Sequence, residues 1–128
     1  MYKIAFVNMP FASADLPSIA LTQLKSAVQK AFGEQTSCNL FYLNLDFVNY
    51  LGFALFQAIS NTVQANTSGL GDWFFSAAAF PELPDDPEGY LNRHFAEQRM
   101  ELTAFKQQIV SKRRTAGRFL DSLLDRLW

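Results

Sequence analysis

Cysteine and histidine are almost absent from this chain of 128 residues: Cys38 and His94 are each the single member of their type. One cysteine excludes an intrachain disulfide and any metal or iron–sulfur site built from several thiolates of the chain. One histidine leaves little for acid–base catalysis. We expect Cys38 to be a small apolar strand residue and His94 to be a half-exposed helical residue rather than a metal ligand.

Charged residues and long apolar runs are also scarce. Charged residues make up 18% of the chain and the formal net charge is −1, which gives no electrostatic case for binding nucleic acid or an anionic membrane. No apolar run approaches the roughly 20 residues of a membrane-spanning helix, and the N-terminus lacks the pattern of a signal peptide. We therefore expect a cytoplasmic protein whose partners include neither nucleic acid nor a membrane.

Phenylalanine, in contrast, is abundant. Its 13 copies bring the aromatic fraction to 15%, which favours either a large ligand pocket and partner surface or simply an aromatic core. The hydrophobic fraction of 49% is typical of a globular chain. The length predicts a single domain over residues 1–128, with a βαβ core in residues 1–47 and a helical part in residues 48–128.

The N-terminal third carries the pattern of a strand, a helix and a second strand. Residues 4–7 (IAFV) are apolar without alternation, which predicts a strand buried on both faces, and Pro10 ends it because proline cannot donate to a central ladder. A helix is expected to begin near Pro17, and Gly33 is expected to close it as the C′ residue. Its apolar face is predicted at Ala20, Leu24, Ala27, Val28 and Ala31.

The second strand is predicted over residues 38–45. The fold class is therefore α/β, a partial Rossmann-like βαβ unit with two parallel strands followed by a largely helical region. Because ligands of such sheets lie beyond the carboxyl ends of the strands, residues 8–18 are expected to face a ligand. Two strands leave both sheet edges open, so the chain is expected to form a homo-oligomer, to cover the edges with helices, or to be the front part of something larger.

The region after the second strand is predicted to be helical with one long loop. Asp46 is expected to cap a helix over residues 47–59, and Gly52 is expected to weaken it and to pack closely against a neighbour. Residues 61–72 read as a loop. Residues 71–80 (GDWFFSAAAF) predict a short apolar helix, capped by Asp72, that must be covered on most sides.

The last forty residues predict long helices. Asp85 or Asp86 should cap a helix beginning at Pro87, and a break is expected near Gly117. Residues 112–114 (KRR) and Arg118 form a basic patch that could receive an acidic leader peptide or simply complement a helix dipole. The heptad-like apolar seam is Leu91, Phe95, Gln98, Leu102, Phe105 and Ile109, resumed by Phe119, Leu120, Leu123, Leu124 and Leu127.

Six separated segments resemble one known family in the order in which that family has them. The segments are residues 7–13 (VNMPFAS), 17–21 (PSIAL), 42–47 (YLNLDF), 51–52 (LG), 71–80 (GDWFFSAAAF) and 119–124 (FLDSLL). The chain resembles the N-terminal, cobalamin-binding region of the cobalamin-dependent radical S-adenosylmethionine C-methyltransferases that mature ribosomally synthesised peptides (RiPPs).

The resemblance implies the first half of a Rossmann-like cobalamin domain, with residues 8–18 approaching the corrin. The chemistry implied is methyl transfer to carbon of a precursor peptide. S-adenosylmethionine and the [4Fe–4S] cluster would belong to a C-terminal radical domain, and this chain stops at Trp128 without the cluster cysteines. We therefore expect it not to be catalytic alone and to have the precursor peptide or that domain as partner. The cofactor-binding residues expected are Asn8, Met9, Pro10, Phe11, Ser13, Ser18 and Asp46.

Several of the same residues could have purely structural roles instead of binding a cofactor. Ser18 could cap the first helix, Asn8 could hold the turn, and Asp46 could cap the second helix. The alternative function is then a non-catalytic protein–protein interaction module that pairs with itself or with another protein through its aromatic surface.

Overall fold

A computed structural model of the chain describes residues 1–96 and 100–127. Two parallel strands are joined by a helix and a 3-10 turn at Gly33–Gln35, and a largely helical region comes after them, so the predicted α/β class with a partial Rossmann-like βαβ unit is confirmed. No helix in the described residues has both the length and the apolar character needed to cross a membrane. The elements are β1 (Tyr2–Asn8), α1 (Ile19–Phe32), β2 (Thr36–Tyr42), α2 (Leu43–Leu51), α3 (Phe53–Ser60), α4 (Val63–Ser68), α5 (Leu70–Ala79), α6 (Pro87–His94) and α7 (Met100–Leu124).

The chain divides into two compact units. The first consists of Met1–Tyr50 together with Leu127, and the second of Leu51–Arg126. Within the second unit α5 packs against α3, α4 and α7, and α3 also packs against α4 and α7. The single domain expected from the length stays a prediction.

The two strands are paired in parallel and without offset. Tyr2 lies opposite Thr36 and Asn8 lies opposite Tyr42, so β1 and β2 end at the same level and share one carboxyl edge. Residues 4–7 are only half-buried, so the prediction of burial on both faces is wrong. The sheet has two strands in the described residues, so β1 has an open edge, and helix α1, which packs mainly against β2, covers β1 only in part.

Helix α1 packs mainly against β2. It begins at Ile19, two residues after the predicted start near Pro17, and is capped by the side chain of Ser18. The predicted apolar face is wrong except at Val28, since Leu24 is 52% exposed and the three alanines of that face are exposed. The half-buried stripe is Leu21, Lys25 and Val28. These larger side chains are covered in place of the alanines, and a lysine can be half-buried because its aliphatic stem packs while its charge stays in water.

Helix α2 begins earlier than the sequence predicted. Residues 43–45 are helical and not part of the second strand, and Asp46 lies in the first turn of α2 rather than at its N-cap. Leu43 and Phe47 are both buried and stand four residues apart, on the same side of a helix. Their common burial favours the helical period over the continuous apolar strand that the pattern suggested.

Gly52 separates α2 from α3, so the continuous helix over residues 47–59 is wrong. Its backbone has φ 86° and ψ 145°, a combination that is costly for residues with a Cβ. A Cβ built on Gly52 would meet no atom within 4 Å. The expected close packing at Gly52 is therefore wrong, and the glycine is needed for its backbone conformation.

Replacing Gly52 by alanine or by glutamine is expected to lower the free energy of unfolding by about 1–3 kcal/mol, because either residue must adopt the same strained backbone. Urea unfolding followed by far-UV circular dichroism measures the change. The two variants should lose the same amount, since the space around Gly52 is open. A loss that grows with side-chain size would contradict this explanation.

The loop predicted over residues 61–72 contains helix α4 and is wrong as a whole. The Oγ1 atom of Thr62 accepts a hydrogen bond from the backbone N–H of Ala65 at 3.2 Å, and Gly69 adopts a left-handed conformation between α4 and α5. Ala65 and Leu70 are buried, and this burial stabilises a polar stretch that has weak helical propensity of its own. Helix α5 starts at Leu70, and Asp72 lies in its first turn instead of capping it.

Helix α5 is covered only along part of its length. Leu70 and Phe74 are buried, whereas Ala78, Ala79 and Phe80 at its C-terminal end are exposed. The expectation that residues 71–80 are covered on most sides is therefore wrong for the end of the helix.

In the C-terminal helices, one predicted helix cap is confirmed and the break predicted near Gly117 is not found. Asp86 accepts a hydrogen bond from the N–H of Gly89 at 2.9 Å, with Pro87 in the first turn of α6. α7 continues through Gly117, so the predicted break is wrong. A Cβ on Gly117 would lie 3.3 Å from the Cβ of Ala78, and the glycine thus permits the close approach of α5 and α7.

The predicted apolar seam is interrupted because α6 ends at His94. Gln98 lies outside the described residues. Of the other seam positions, the buried ones are Leu91, Phe95, Ile109 and Leu123.

Candidate functional site

The connection between β1 and α1 begins with a tight turn at the carboxyl edge of the sheet. The N–H of Ala12 donates to the carbonyl oxygen of Met9 at 3.2 Å, with Pro10 and Phe11 between them. Phe11 has φ 69° and occupies the third position of the turn, where a type II turn needs a positive φ and normally has glycine. It is the one non-glycine residue with positive φ in the part of the chain described here.

Packing against α2 holds Phe11 in this conformation. Its ring lies edge-on to the ring of Phe47, with centroids 5.8 Å apart. Phe47 is fully buried and makes a similar contact with Tyr50 at 5.7 Å. A left-handed backbone costs an ordinary residue about 1–2 kcal/mol, and such aromatic pairs contribute about 0.5–1.5 kcal/mol each beyond burial, which is of the same order.

Asn44 ties the same connection to the start of α2. Its Nδ2 atom donates to the carbonyl oxygen of Ser13 at 2.9 Å and is 3.5 Å from that of Ala12. Since both neighbours of Nδ2 are acceptors, the orientation of the amide is fixed. The side chain is buried, and its Oδ1 atom has no hydrogen-bond partner among the described residues.

An acceptor left in this state is uncommon, because most buried polar atoms are hydrogen-bonded and leaving one unpaired costs about 1–3 kcal/mol. Asn44 was not among the predicted site residues, although it lies within the segment of residues 42–47 that carries the resemblance. The available signal was a polar residue between two apolar ones, Leu43 and Leu45, near the end of the predicted strand. We call the group formed by Asn8, residues 9–18, Asn44 and Phe47 the carboxyl-edge site.

The predicted cofactor-binding residues are distributed unevenly around this site. Asn8 is the last residue of β1, and Met9, Pro10, Phe11 and Ser13 lie in the connection to α1. Met9 and Ser13 are exposed, while the other three are half-buried.

Ser18 and Asp46 occupy other positions. The Oγ atom of Ser18 accepts from the N–H of Leu21 at 3.3 Å, so the capping role of Ser18 is confirmed. Asp46 stands four residues beyond the end of β2 and lies inside α2. The favourable field at a helix N-terminus explains a carboxylate in this turn without a ligand.

Cys38 and His94 have the environments expected of them. Cys38 is a buried residue of β2. His94 is half-buried at the end of α6, with its ring 4.7 Å from that of Tyr90. Among the described residues, no group of three or more histidine, cysteine, aspartate or glutamate side chains is placed to hold a metal ion.

The basic residues 112–114 have different surroundings in the second unit and do not form one exposed patch. Arg113 is buried, and its guanidinium binds both carboxylate oxygens of Asp85 at 2.5 and 2.8 Å. It also donates to the carbonyl oxygen of Trp73 at 3.2 Å and to the Oγ atom of Ser76 at 3.0 Å. The guanidinium lies 4.2 Å from the centroid of the Trp73 ring.

Arg113 is therefore a structural cation that is not available to an acidic peptide. The alternative, a complement to the dipole at a helix end, is wrong, because α7 continues for ten residues beyond residue 114 and the dipole acts within the last turn. Binding of an acidic peptide by the exposed Arg114 and Arg118 stays a prediction.

Comparison with known proteins gives no relative for this fold and site. No protein-family model, no curated protein and no solved structure matches the chain.

Proposed function

We propose that the carboxyl-edge site is a cofactor site and that the chain is a cobalamin-binding part-domain, not catalytic by itself. The single observation that carries this proposal is the buried Oδ1 atom of Asn44, an acceptor without a donor at the edge where parallel sheets bind their ligands. The amide side chains of a corrin are donors that could satisfy it. The atom is not exposed, so a ligand reaches it only if the connection of residues 9–18 shifts.

The strained backbone of Phe11 supports the same site. Residues in rare backbone conformations cluster at ligand clamps, where surrounding contacts maintain them. Phe11 is maintained by Phe47, and the turn it forms leaves Met9 and Ser13 exposed toward solvent. An apolar side chain and a hydroxyl at this position suit a macrocycle with an apolar face and polar substituents.

The resemblance supplies the rest of the proposal. When bound, cobalamin would supply a carrier for the methyl group, with S-adenosylmethionine and a [4Fe–4S] cluster provided by a separate radical domain. The partners proposed are that domain and a precursor peptide, in the cytoplasm. The role of this chain is to bind the cofactor through residues 8–13 and Asn44. Ser18 positions the end of the connection of residues 9–18 by capping α1.

Titration of the whole chain with hydroxocobalamin, followed by visible absorbance, tests this function. We expect a saturable spectral change and co-elution of the coloured cofactor with the protein in size exclusion. The double variant Met9→Ala with Ser13→Ala should weaken binding by about thirtyfold, because one apolar contact and one hydrogen bond contribute about 1 kcal/mol each.

The matched control is Phe32→Ala with Ser26→Ala, an exposed pair on α1. Phe32 lies at the end of α1 that precedes β2, away from the carboxyl edge of the sheet. The control should bind as the unchanged chain does. Absence of any spectral change, or equal weakening by both double variants, would overturn the proposal.

A second candidate, the non-catalytic interaction module, is favoured by the surface of α1. This helix has no buried residue and exposes Ile19, Leu24 and Phe32. Exposed apolar patches of this kind are common at protein–protein interfaces. Size exclusion with light scattering distinguishes the two functions: a stable dimer that leaves the hydroxocobalamin spectrum unchanged favours the interaction module.

A further inference from the structure

A groove of about 630 Å³ runs between the end of α5 and the C-terminal half of α7, within the second unit. The contributing positions of α7 extend from Val110 to Leu124 at intervals of three and four residues, so the groove follows one face of the helix for about 21 Å. The small residues Ala78 and Gly117 face each other across it. The apolar lining consists chiefly of Phe75, Ala78, Val110, Gly117, Leu120 and Leu124.

The rim of the groove carries two arginines without ion-pair partners. Arg114 and Arg118 are exposed, and neither forms an ion pair or hydrogen bond with another described residue. Asp121 lines the same groove but pairs with neither. Arg113, which is also on α7, and Asp85 neutralise each other. With Asp121 counted, the groove lining keeps one net positive charge, and it comes from Arg114 and Arg118.

The spacing of these two arginines along α7 favours a ligand that is itself helical. Arg114 and Arg118 are four residues apart, and like charges one turn apart destabilise a helix unless anions offset them. Two carboxylates one turn apart on a bound helix would meet both guanidiniums at once, in the geometry that arginine and carboxylate prefer. An amphipathic helix laid in a groove buries its apolar residues at the same three- and four-residue intervals.

We propose that the groove between α5 and α7 binds an acidic amphipathic helix of a partner protein. The apolar side of that helix occupies the groove over Ala78 and Gly117, and its carboxylates pair with Arg114 and Arg118. This site lies in the second unit and is independent of the cofactor site proposed for the first.

Two synthetic peptides of 15 residues, a length of about four helical turns, test the proposal on the whole chain. Both carry leucine at intervals of three and four residues, and they differ only in having glutamate or lysine beside the apolar face. Fluorescence anisotropy of the labelled peptides measures binding. We expect the acidic peptide to bind about tenfold more tightly than the basic one, since each of the two arginine–carboxylate pairs at a partly exposed rim contributes about threefold.

The double variant Arg114→Glu with Arg118→Glu should reverse this preference, so that the basic peptide binds more tightly. The control Lys30→Glu with Arg93→Glu changes the net charge equally at exposed positions outside the groove and should leave the preference unchanged. Leu124→Ser, which shortens the apolar wall at an exposed residue, should weaken both peptides alike. Equal affinity for the two peptides, no binding of either, or the same response of variant and control would overturn the proposal.

Discussion

Replacement of Arg113 by alanine is expected to lower the free energy of unfolding by about 3 kcal/mol, at the low end of the loss that is typical when one partner of a buried ion pair is removed. The change removes the hydrogen bonds of Arg113 to the carbonyl oxygen of Trp73 and to the hydroxyl of Ser76, and uncovers the indole ring. The Trp73 carbonyl keeps the hydroxyl of Ser76 as a donor at 2.9 Å. The loss is limited because the Asp85 side chain is 37% exposed and can be hydrated. Urea unfolding followed by circular dichroism and tryptophan fluorescence measures it.

Two variants separate the role of geometry from that of charge. Arg113→Lys keeps the charge but cannot bind Asp85 with two nitrogens or lie flat on Trp73, so it should lose about half as much. Arg114→Ala, at the exposed neighbour, should change stability by no more than about 0.5 kcal/mol. If Arg113→Ala were as stable as Arg114→Ala, the contacts of Arg113 would contribute nothing.

Replacement of Phe47 by alanine is expected to have the largest effect in the first unit, a loss of about 3–5 kcal/mol, as for other fully buried aromatic residues. The ring has no solvent exposure and supports both Tyr50 and the strained turn at Phe11. Without that support, the N–H of Ala12 should exchange faster, because its hydrogen bond closes the turn. Urea unfolding and amide hydrogen exchange measure the two effects.

Phe32→Ala is the matched control for this variant, since Phe32 is 53% exposed in the same unit. It should change stability by no more than about 0.5 kcal/mol and leave the exchange of Ala12 unaltered. Fast exchange at Ala12 in both variants, or in neither, would show that Phe47 does not support the turn.

The carboxyl-edge site was only partly predictable. The sequence places Pro10 and Phe11 after a strand and so predicts a turn at a sheet edge. It does not predict that Phe11 takes the left-handed conformation, because no local signal favours a positive φ for phenylalanine. Asn44 was missed for a similar reason: its hydrogen bond to Ser13 joins residues 31 positions apart, and a periodic pattern reports only near neighbours.

The errors at glycines have a common cause. A glycine in an apolar pattern can mark a turn, a close approach or a weak point, and the sequence does not distinguish them. Gly52 was taken for a close approach and breaks a helix, whereas Gly117 was taken for a break and permits a close approach. The difference depends on the surroundings of each residue, which are Ala78 for Gly117 and open space for Gly52.

The sequence by itself determined the βαβ order, the parallel strands, the start of α6 at Pro87 with Asp85 or Asp86 as its cap, and the largely helical C-terminal part. These features result from apolar periodicity and from capping side chains, which act over a few residues. The tertiary structure alone decided the burial of Arg113, the helical start at Leu43, the side of α1 that faces β2 and the unpaired oxygen of Asn44. Each of these depends on which distant groups share the low-dielectric interior, where a polar group needs a partner and an apolar group needs cover.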